Sequence, residues 1–360
     1  MSDSRKAQLN DWVNGQLSQL LELDPGSVDV ELTTVSGDAS FRRYFRAQLL
    51  EKSFIAVDAP PDNENSELFV EIAGYLREAG VKSPKVFAKN YLDGFLLLED
   101  FGDSLYLPRL LTLQEGGLDA ISEYQVESLY KDAIRALIKM QSNVDKKRLA
   151  PYTREKLRTE MQLFEDWFCG RYLGLDLNAA ERELISDTFT FLEEAALGQA
   201  QLAVHRDYHS RNLLILDDAK FPEDSGPGII DFQDAMAGAY SYDLVSLLRD
   251  CYIRWSPDLV ESLALYYFEL ATAAGLAEGA SLSQFRRDFD LMGLQRNFKV
   301  MGIFSRLCIR DNKSQYLADI PLVIQYFLEV ACEYEEMAPF LDWFETKVLV
   351  VAKAKLNLEH

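Results

Sequence analysis

The chain has 360 residues, 48% of them hydrophobic, and a net charge of −21. That length and apolar content suffice for one large core or for two domains. The charge argues against a nucleic acid partner, since phosphate backbones demand basic patches. No apolar run approaches the roughly 20 residues of a membrane span, and the opening "MSDSRKAQLNDW" lacks the apolar stretch of a secretory signal. These features predict a soluble, cytoplasmic protein without a membrane partner. Cys169, Cys251, Cys308 and Cys332 are far apart and form no C-x-x-C pair. They read as structural thiols rather than as a disulfide or zinc framework.

In chain order, the first element is a helix over residues 8–23, with Leu9, Val13, Leu17 and Leu20 on one face. Strand-like runs follow at 29–35, 41–49 and 53–58, broken by "SGDAS" and "LLEKS" and stopped by Pro60–Pro61. Leu68, Ile72, Tyr75 and Leu76 predict a helix over 65–79, and two more strands flank the turn "LDG" in "KSPKVFAKNYLDGFLLLED". From about residue 108 helical periodicity takes over. Leu129, Ala133, Ile134 and Leu137 mark a core helix, and 155–172 and 179–197 are two more. A β-rich island interrupts them, "QLAVHRDYHSRNLLIL" and "IIDFQDA" around the loop "DDAKFPEDSGPG", before helices resume at "YDLVSLLRDCYIRW". The pattern predicts an α+β, two-lobed fold. Residues 1–101 form a small antiparallel β-rich N-terminal lobe, and 102–357 a larger, mostly helical C-terminal lobe. The closing "LEH", 358–360, reads as the remnant of a cloning tag.

The island holds two of the three histidines, His205 and His209. H-x-x-x-H on a helix would suit zinc. Here strand-like runs on both sides put the segment in a loop, and no third histidine or nearby cysteine completes a site. Asp207 and Asn212 fall in the pattern H-x-D-x-x-x-x-N, and Asp231 follows the apolar "GII" of the next strand. Phosphoryl transfer from ATP needs a carboxylate to take the acceptor's proton and oxygen ligands for magnesium. Asp207 suits the first task, Asn212 and Asp231 the second.

"HRDYHSRN" followed by "IIDFQ" resembles the catalytic loop and metal-binding aspartate of the aminoglycoside phosphotransferase superfamily, small-molecule kinases with a protein-kinase-like fold. The resemblance spans nearly the whole chain. It implies ATP and Mg2+ in a cleft between the lobes, with Asp207 as base and Asn212 and Asp231 as metal ligands. It implies that Ser36, Gly37, Asp38, Ala39 and Ser40 cover the phosphates, and that Glu99, Asp100 and Phe101 of "FLLLEDFGD" meet adenine mainly by backbone. Asp243 of "YSYDLVSLLRD" would brace the catalytic loop, and His205 would support it by hydrogen bonds. One departure stands out: the third strand usually carries a phosphate-pairing lysine, and "SFIAVDAPP" has none. Arg43 or Arg46 on the adjacent strand is the candidate substitute, with Glu67 or Glu71 as its partner.

"DASFRRYFR", "DAPP", "DFQDA", "QRNFKVMGIFSRL" and "YLADIP" resemble one branch more closely, the anomeric kinases of cell-wall amino sugars. That branch implies a small-molecule acceptor, N-acetylmuramate or N-acetylglucosamine, phosphorylated at C1 in peptidoglycan recycling. Arg211, Arg249, Arg254 and Lys299, with His209, make up the candidate acceptor-binding set. The basic members read either as ion pairs scattered among the many carboxylates or as a pocket for an anionic substrate such as a lactyl carboxylate. His209 either lines that pocket or caps the loop, and Tyr252 and Trp255 either stack on a sugar or pack the helix. Kinases of other small alcohols (an aminoglycoside, choline, homoserine) and a non-catalytic nucleotide-binding protein are the rival readings.

Overall fold

The computed structural model describes residues 4–24, 26–35, 41–117, 119–217, 221, 226–277 and 279–356. "SGDAS" and the terminal "LEH" lie outside the described residues. The chain forms two compact units. One comprises residues 1–105 and 212–234; the other comprises 106–211 and 235–360.

The first unit is built on five antiparallel strands, β1 (Leu32–Thr34), β2 (Arg43–Leu49), β3 (Lys52–Asp58), β4 (Val86–Asn90) and β5 (Phe95–Glu99), in the order β1-β2-β3-β5-β4. Side chains alternate across such a sheet. Phe45, Ala47, Phe54, Ala56, Phe95 and Leu97 turn to one face, which the helix α1 (Ser4–Leu20) covers with Leu9, Val13 and Leu17. A second helix, α2 (Ser66–Glu78), starts at Asn65, whose side chain accepts the Leu68 N–H. Its buried stripe is Phe69, Ile72, Ala73 and Leu76. Of the expected stripe Ile72 and Leu76 are buried, while Phe69 takes the place of Leu68, because its ring packs 4.8 Å from Phe232 and Leu68 points outward. Two short strands of the island also belong here, β7 (Leu213–Leu214) against β8 (Gly228–Ile229). Gly228 lies so close beneath Phe101 that a Cβ would come within 2.6 Å of the ring.

The second unit is mostly helical: α3 (Tyr106–Glu115), α4 (Ala120–Asn143), α5 (Arg154–Leu163), α6 (Ala179–Gly198), α7 (Tyr242–Leu248), α8 (Pro257–Ala273), α9 (Leu282–Asp311) and α10 (Ile320–Ala331), with shorter helical turns to Leu356. The remaining island strands, β6 (Gln201–Val204) and β9 (Met236–Ala239), pair with each other. The stripe of α4 runs through Val126, Tyr130, Ala133, Ile134 and Leu137. Tyr130 takes the place expected of Leu129 because its hydroxyl accepts the Trp255 indole N–H at 2.7 Å. The expected single helix over 155–172 is α5 followed by wider π-helical turns, Phe164–Leu173, ended by Gly174 at φ 74°. Phe164, Phe298, Phe327, Phe340 and Phe344 pack together at the centre. Among the described residues no helix is long and apolar enough to cross a membrane.

Candidate active site

In the second unit, the loop after β6 is pinned backbone first. Asp243 accepts the N–H groups of His205 and Arg206 on its two carboxyl oxygens, at 2.6 and 2.9 Å. Burial pushes its pKa up to about 7, against the pull of those two donors and Arg296. Asp250 accepts both the N–H and the hydroxyl of Ser210, at 3.0 and 2.5 Å. The Tyr208 hydroxyl donates to the Ala133 carbonyl on α4, and Nδ1 of His205 accepts the Asp207 N–H at 3.2 Å. The loop needs such support because Arg206 sits at φ 77°, a conformation costly for a residue with a Cβ.

Asp207 is thereby fixed among positive groups. Burial alone would raise its pKa, but Lys299, His209, Arg206 and His205 together hold the carboxyl below the usual range. Glu160 on α5 is the counter-charge to Arg206 and Lys299. It accepts from the Tyr152 hydroxyl and from Arg206, and lies 3.6 Å from the Lys299 ammonium. Lys299 donates to the Tyr242 hydroxyl at 2.8 Å, and Arg296 lies over the Tyr242 ring at 5.4 Å. Lys299 and Glu160 are both 8% exposed, so little solvent screens this group. The adjoining turn of α9 is unusually polar for a buried helix. Both amide atoms of Gln295, Nε of Arg296 and Nδ2 of Asn297 lack a hydrogen-bond partner among the described residues.

The five residues expected to bind acceptor separate in the structure. Lys299 and His209 share the surroundings of Asp207. Burial lowers the pKa of His209, whose Nδ1 has no partner among the described residues. Arg211 is exposed and stacks 3.6 Å over the Tyr252 ring, which also meets His209 at 5.3 Å. Arg249 is held by Asp290 at 2.5 Å, and Arg254 forms a two-pronged pair with Glu329 at 2.9 and 2.8 Å. Trp255 is a packing residue, and Tyr252 carries Arg211. Sequence reasoning passed over Glu160, Arg206, Tyr152, Tyr242 and Arg296. Arg206 and Tyr242 adjoin recognised positions, whereas nothing in "REKLRTEMQL" marks Glu160 as buried.

In the first unit, Asn212 Nδ2 donates to Asp231 Oδ2 at 3.4 Å and Gln233 Nε2 to Asp231 Oδ1 at 2.9 Å. Asp231 takes φ 62°, and the next residue, Phe232, anchors it on Phe69 of α2. The Gln233 Oε1 atom is buried with no partner among the described residues. One carboxylate and two amide oxygens are the hard donors that magnesium accepts, with the rest of its shell left to phosphates or water. The described residues hold no group of three or more His, Cys, Asp or Glu side chains that would form a fully protein-bound metal site.

After β5, Asp100 accepts from Arg46 at 2.6 Å and from the Gly102 N–H at 2.9 Å. Burial would raise its pKa, but these donors hold it below the usual range. Glu99 accepts from Arg77 and from the Lys85 N–H, at 3.2 and 3.1 Å. These carboxylates are thus engaged in holding the turn. Arg43 is committed to Asp58, on the α1 face.

Solved structures place this architecture in the protein-kinase-like class. The chain is similar to an ethanolamine kinase from Plasmodium vivax, with a TM-score of 0.60 at 10% identity over 87% of this chain and 88% of that one. It is similar also to a choline kinase from Streptococcus pneumoniae, at 0.58 and 11% over 89% and 99%. At that identity the likeness speaks for the fold alone. Residues 31–280 match the phosphotransferase enzyme family, and the chain belongs to that family. It is 38% identical over 339 residues to the N-acetylmuramate/N-acetylglucosamine kinase of Pseudomonas aeruginosa, spanning 93% of this chain and 95% of that protein. The protein of the same name from Pseudomonas putida is 39% identical over 342 residues, spanning 93% and 94%.

Proposed function

We propose that the protein transfers the γ-phosphoryl group of ATP to the anomeric hydroxyl of N-acetylmuramate and N-acetylglucosamine. The names of its relatives motivate the acceptor. The observation that carries the chemistry is Asp207, a half-buried carboxylate on the pinned loop whose pKa Lys299, His209 and Arg206 hold below the usual range. A general base must be unprotonated when substrate arrives, and an anomeric hydroxyl is acidic enough for a carboxylate to serve. As Asp207 takes the proton, the C1 oxygen forms its bond to γ-phosphorus, the bond to the β-bridging oxygen breaks, and ADP leaves with the electron pair. Lys299 and Arg206 hold Asp207 in its charged state, with Glu160 fixing both. Asn212, Asp231 and Gln233 would hold Mg2+, which when bound neutralises phosphate charge. The acceptor side rests on Lys299, His209 and Arg211; Arg249 and Arg254 are occupied by Asp290 and Glu329. Such an activity fits cytoplasmic reuse of cell-wall amino sugars.

The test is ADP release from Mg-ATP with N-acetylmuramate, N-acetylglucosamine, choline and kanamycin offered separately. Turnover with the amino sugars is expected, and Asp207→Asn should lower kcat by about 10²–10⁴-fold, the usual worth of a general base. Phosphorus NMR should then place the phosphate on C1. Turnover confined to choline or kanamycin would overturn the acceptor, and nucleotide binding without turnover on any sugar would favour the non-catalytic reading.

A further inference from the structure

Of the cations expected to meet an acceptor, most are already engaged within the second unit. Arg249 is held by Asp290, Arg254 by Glu329, and Lys299 by Glu160 and the Tyr242 hydroxyl. Arg211 is the exception. Its guanidinium makes no hydrogen bond or ion pair among the described residues, and its carbon lies 3.6 Å from the centre of the Tyr252 ring. At that separation the two planes must lie nearly face to face, since an edge-on guanidinium would drive a nitrogen into the ring. Stacking fixes the plane and uses none of the five N–H donors, which stay at its edge.

Tyr252 is itself held in place. Its N–H donates at 3.0 Å to Asp250, the acid that pins Ser210, and its ring stacks on Phe304 at 6.2 Å. The same ring meets His209 edge-on at 5.3 Å, and the His209 N–H donates to the Asp207 carbonyl at 3.1 Å. A path of contacts thus leads from the proposed base, through His209 and Tyr252, to an uncommitted guanidinium. One acid stands near it. Asp319, just before α10, makes no capping hydrogen bond with its side chain. Burial, aided by Asp250, lifts the Asp319 pKa to about 6 against the pull of Arg211. These two charges feel one another yet form no ion pair, so Arg211 keeps its donors.

We propose that Arg211 recognises a carboxylate on the acceptor and that Asp319 opposes it, so that the pair sets the preference between N-acetylmuramate, which carries a lactyl acid, and N-acetylglucosamine, which does not. The inference rests on the amino-sugar reading above and deepens it. The lactyl group hangs from C3, two ring carbons from the hydroxyl that Asp207 would deprotonate. Base and carboxylate receptor must then be near neighbours without touching. A stacked guanidinium can meet a carboxylate through two parallel N–H bonds without leaving its ring. Being ordered beforehand, it loses little freedom on binding. Asp319 sets a second negative charge near the incoming acid, which disfavours an anion and spares a neutral sugar.

The experiment compares kcat/KM for N-acetylmuramate, its methyl ester and N-acetylglucosamine with saturating Mg-ATP, at about pH 8, where Asp319 is ionised. The ester keeps the shape of the lactyl group and removes its charge, and the parent should prefer the acid. Arg211→Met should lower the acid-to-ester ratio by about 10- to 100-fold, the worth of charge-assisted hydrogen bonds. Arg211→Lys, which keeps the charge without the fork, should lower it less, and it decides the matter if Arg211→Met does not fold. Asp319→Asn should raise the ratio by about 2- to 5-fold, the scale of a partly exposed charge pair. Opposite movements in two variants cannot come from loss of structure. A ratio unmoved in the Arg211 variants, equal losses on acid and ester, or selective loss confined to Lys299→Met overturns the proposal. A ratio that stays or falls in Asp319→Asn overturns the opposing role. A parent active on N-acetylglucosamine alone, or equally on acid and ester, overturns the inference and leaves the amino-sugar kinase standing. A parent inactive on all three sugars sinks both.

Discussion

Asp207 is ionised by its company rather than by exposure. Among its lowering influences Lys299 stands first, ahead of His209, Arg206 and His205. The direction of a pH effect follows. A carboxylate base whose pKa is depressed stays charged to lower pH, so Asp207 itself should contribute no acid limb to kcat/KM of the parent across about pH 5–8, and any limb near pH 7 belongs to Asp243. Lys299→Met removes the largest of those influences and leaves burial opposed only by His209, Arg206 and His205. The pKa then rises and the acid limb moves upward into the measurable range. An unshifted limb with a raised KM would instead make Lys299 a substrate contact alone. At this scale the sequence was informative where a motif fixes spacing and mute where the fold supplies a partner. Asp207, Asn212 and Asp231 could be singled out because H-x-D-x-x-x-x-N and "IIDF" are local patterns. Glu160 could not, because its three partners, Tyr152, Arg206 and Lys299, meet it only after α5, the loop after β6 and α9 have been packed together.

Among the elements, α9 bears the tightest constraint. Gly302 crosses the end of α5 so closely that a Cβ would stand 2.3 Å from the backbone carbon of Leu163. Backbone cannot rotate aside as a side chain can. Gly302→Ala should therefore force the helices apart and destabilise the protein by about 1–3 kcal/mol, read as a lower urea midpoint at unchanged slope. Because Lys299 lies one turn earlier on the same helix, activity should fall with stability. A stable, fully active variant would show that the crossing relaxes freely. Element boundaries were legible where alternation or helical spacing was clean, as in β2, β3 and α2, whereas β1 is shorter than the run 29–35 suggested. The reading slipped where tertiary partners redirect a stripe, as Trp255 does at Tyr130 and Phe232 at Phe69. The π-helical turns after α5 also escaped it, since their aromatic residues suit an α-helix equally well by local pattern.

At the scale of the molecule, an α+β division into a β-rich and a helical part was visible in the order of elements. The grouping of 212–234 with the first unit was not. Local patterning made the island look continuous, yet β6 pairs with β9 and β7 with β8, in separate two-stranded sheets assigned to different units. A fragment ending at residue 105 should consequently be deficient on its own: Ser104 loses the N–H of Ile215, Lys82 that of Ile229, and Phe101 its floor at Gly228. Hydrogen exchange on such a fragment should show poor protection around residues 82 and 101–105, restored in the full chain. Full protection in the fragment would show that the island adds nothing to that unit's fold.

That discontinuity bears on how the protein is made. A ribosome releases residues in order, so the β-rich unit waits for its last two strands while the intervening helices emerge. At 5–20 residues per second the delay is on the order of 10 s, long beside the microseconds to milliseconds in which local helices form. Through that interval Phe101 and the Ser104 carbonyl stand without Gly228 and the Ile215 N–H on the nascent chain. The segment that completes them also carries Asn212 and Asp231, so the β-rich unit cannot finish folding before the two residues proposed to hold magnesium have been synthesised.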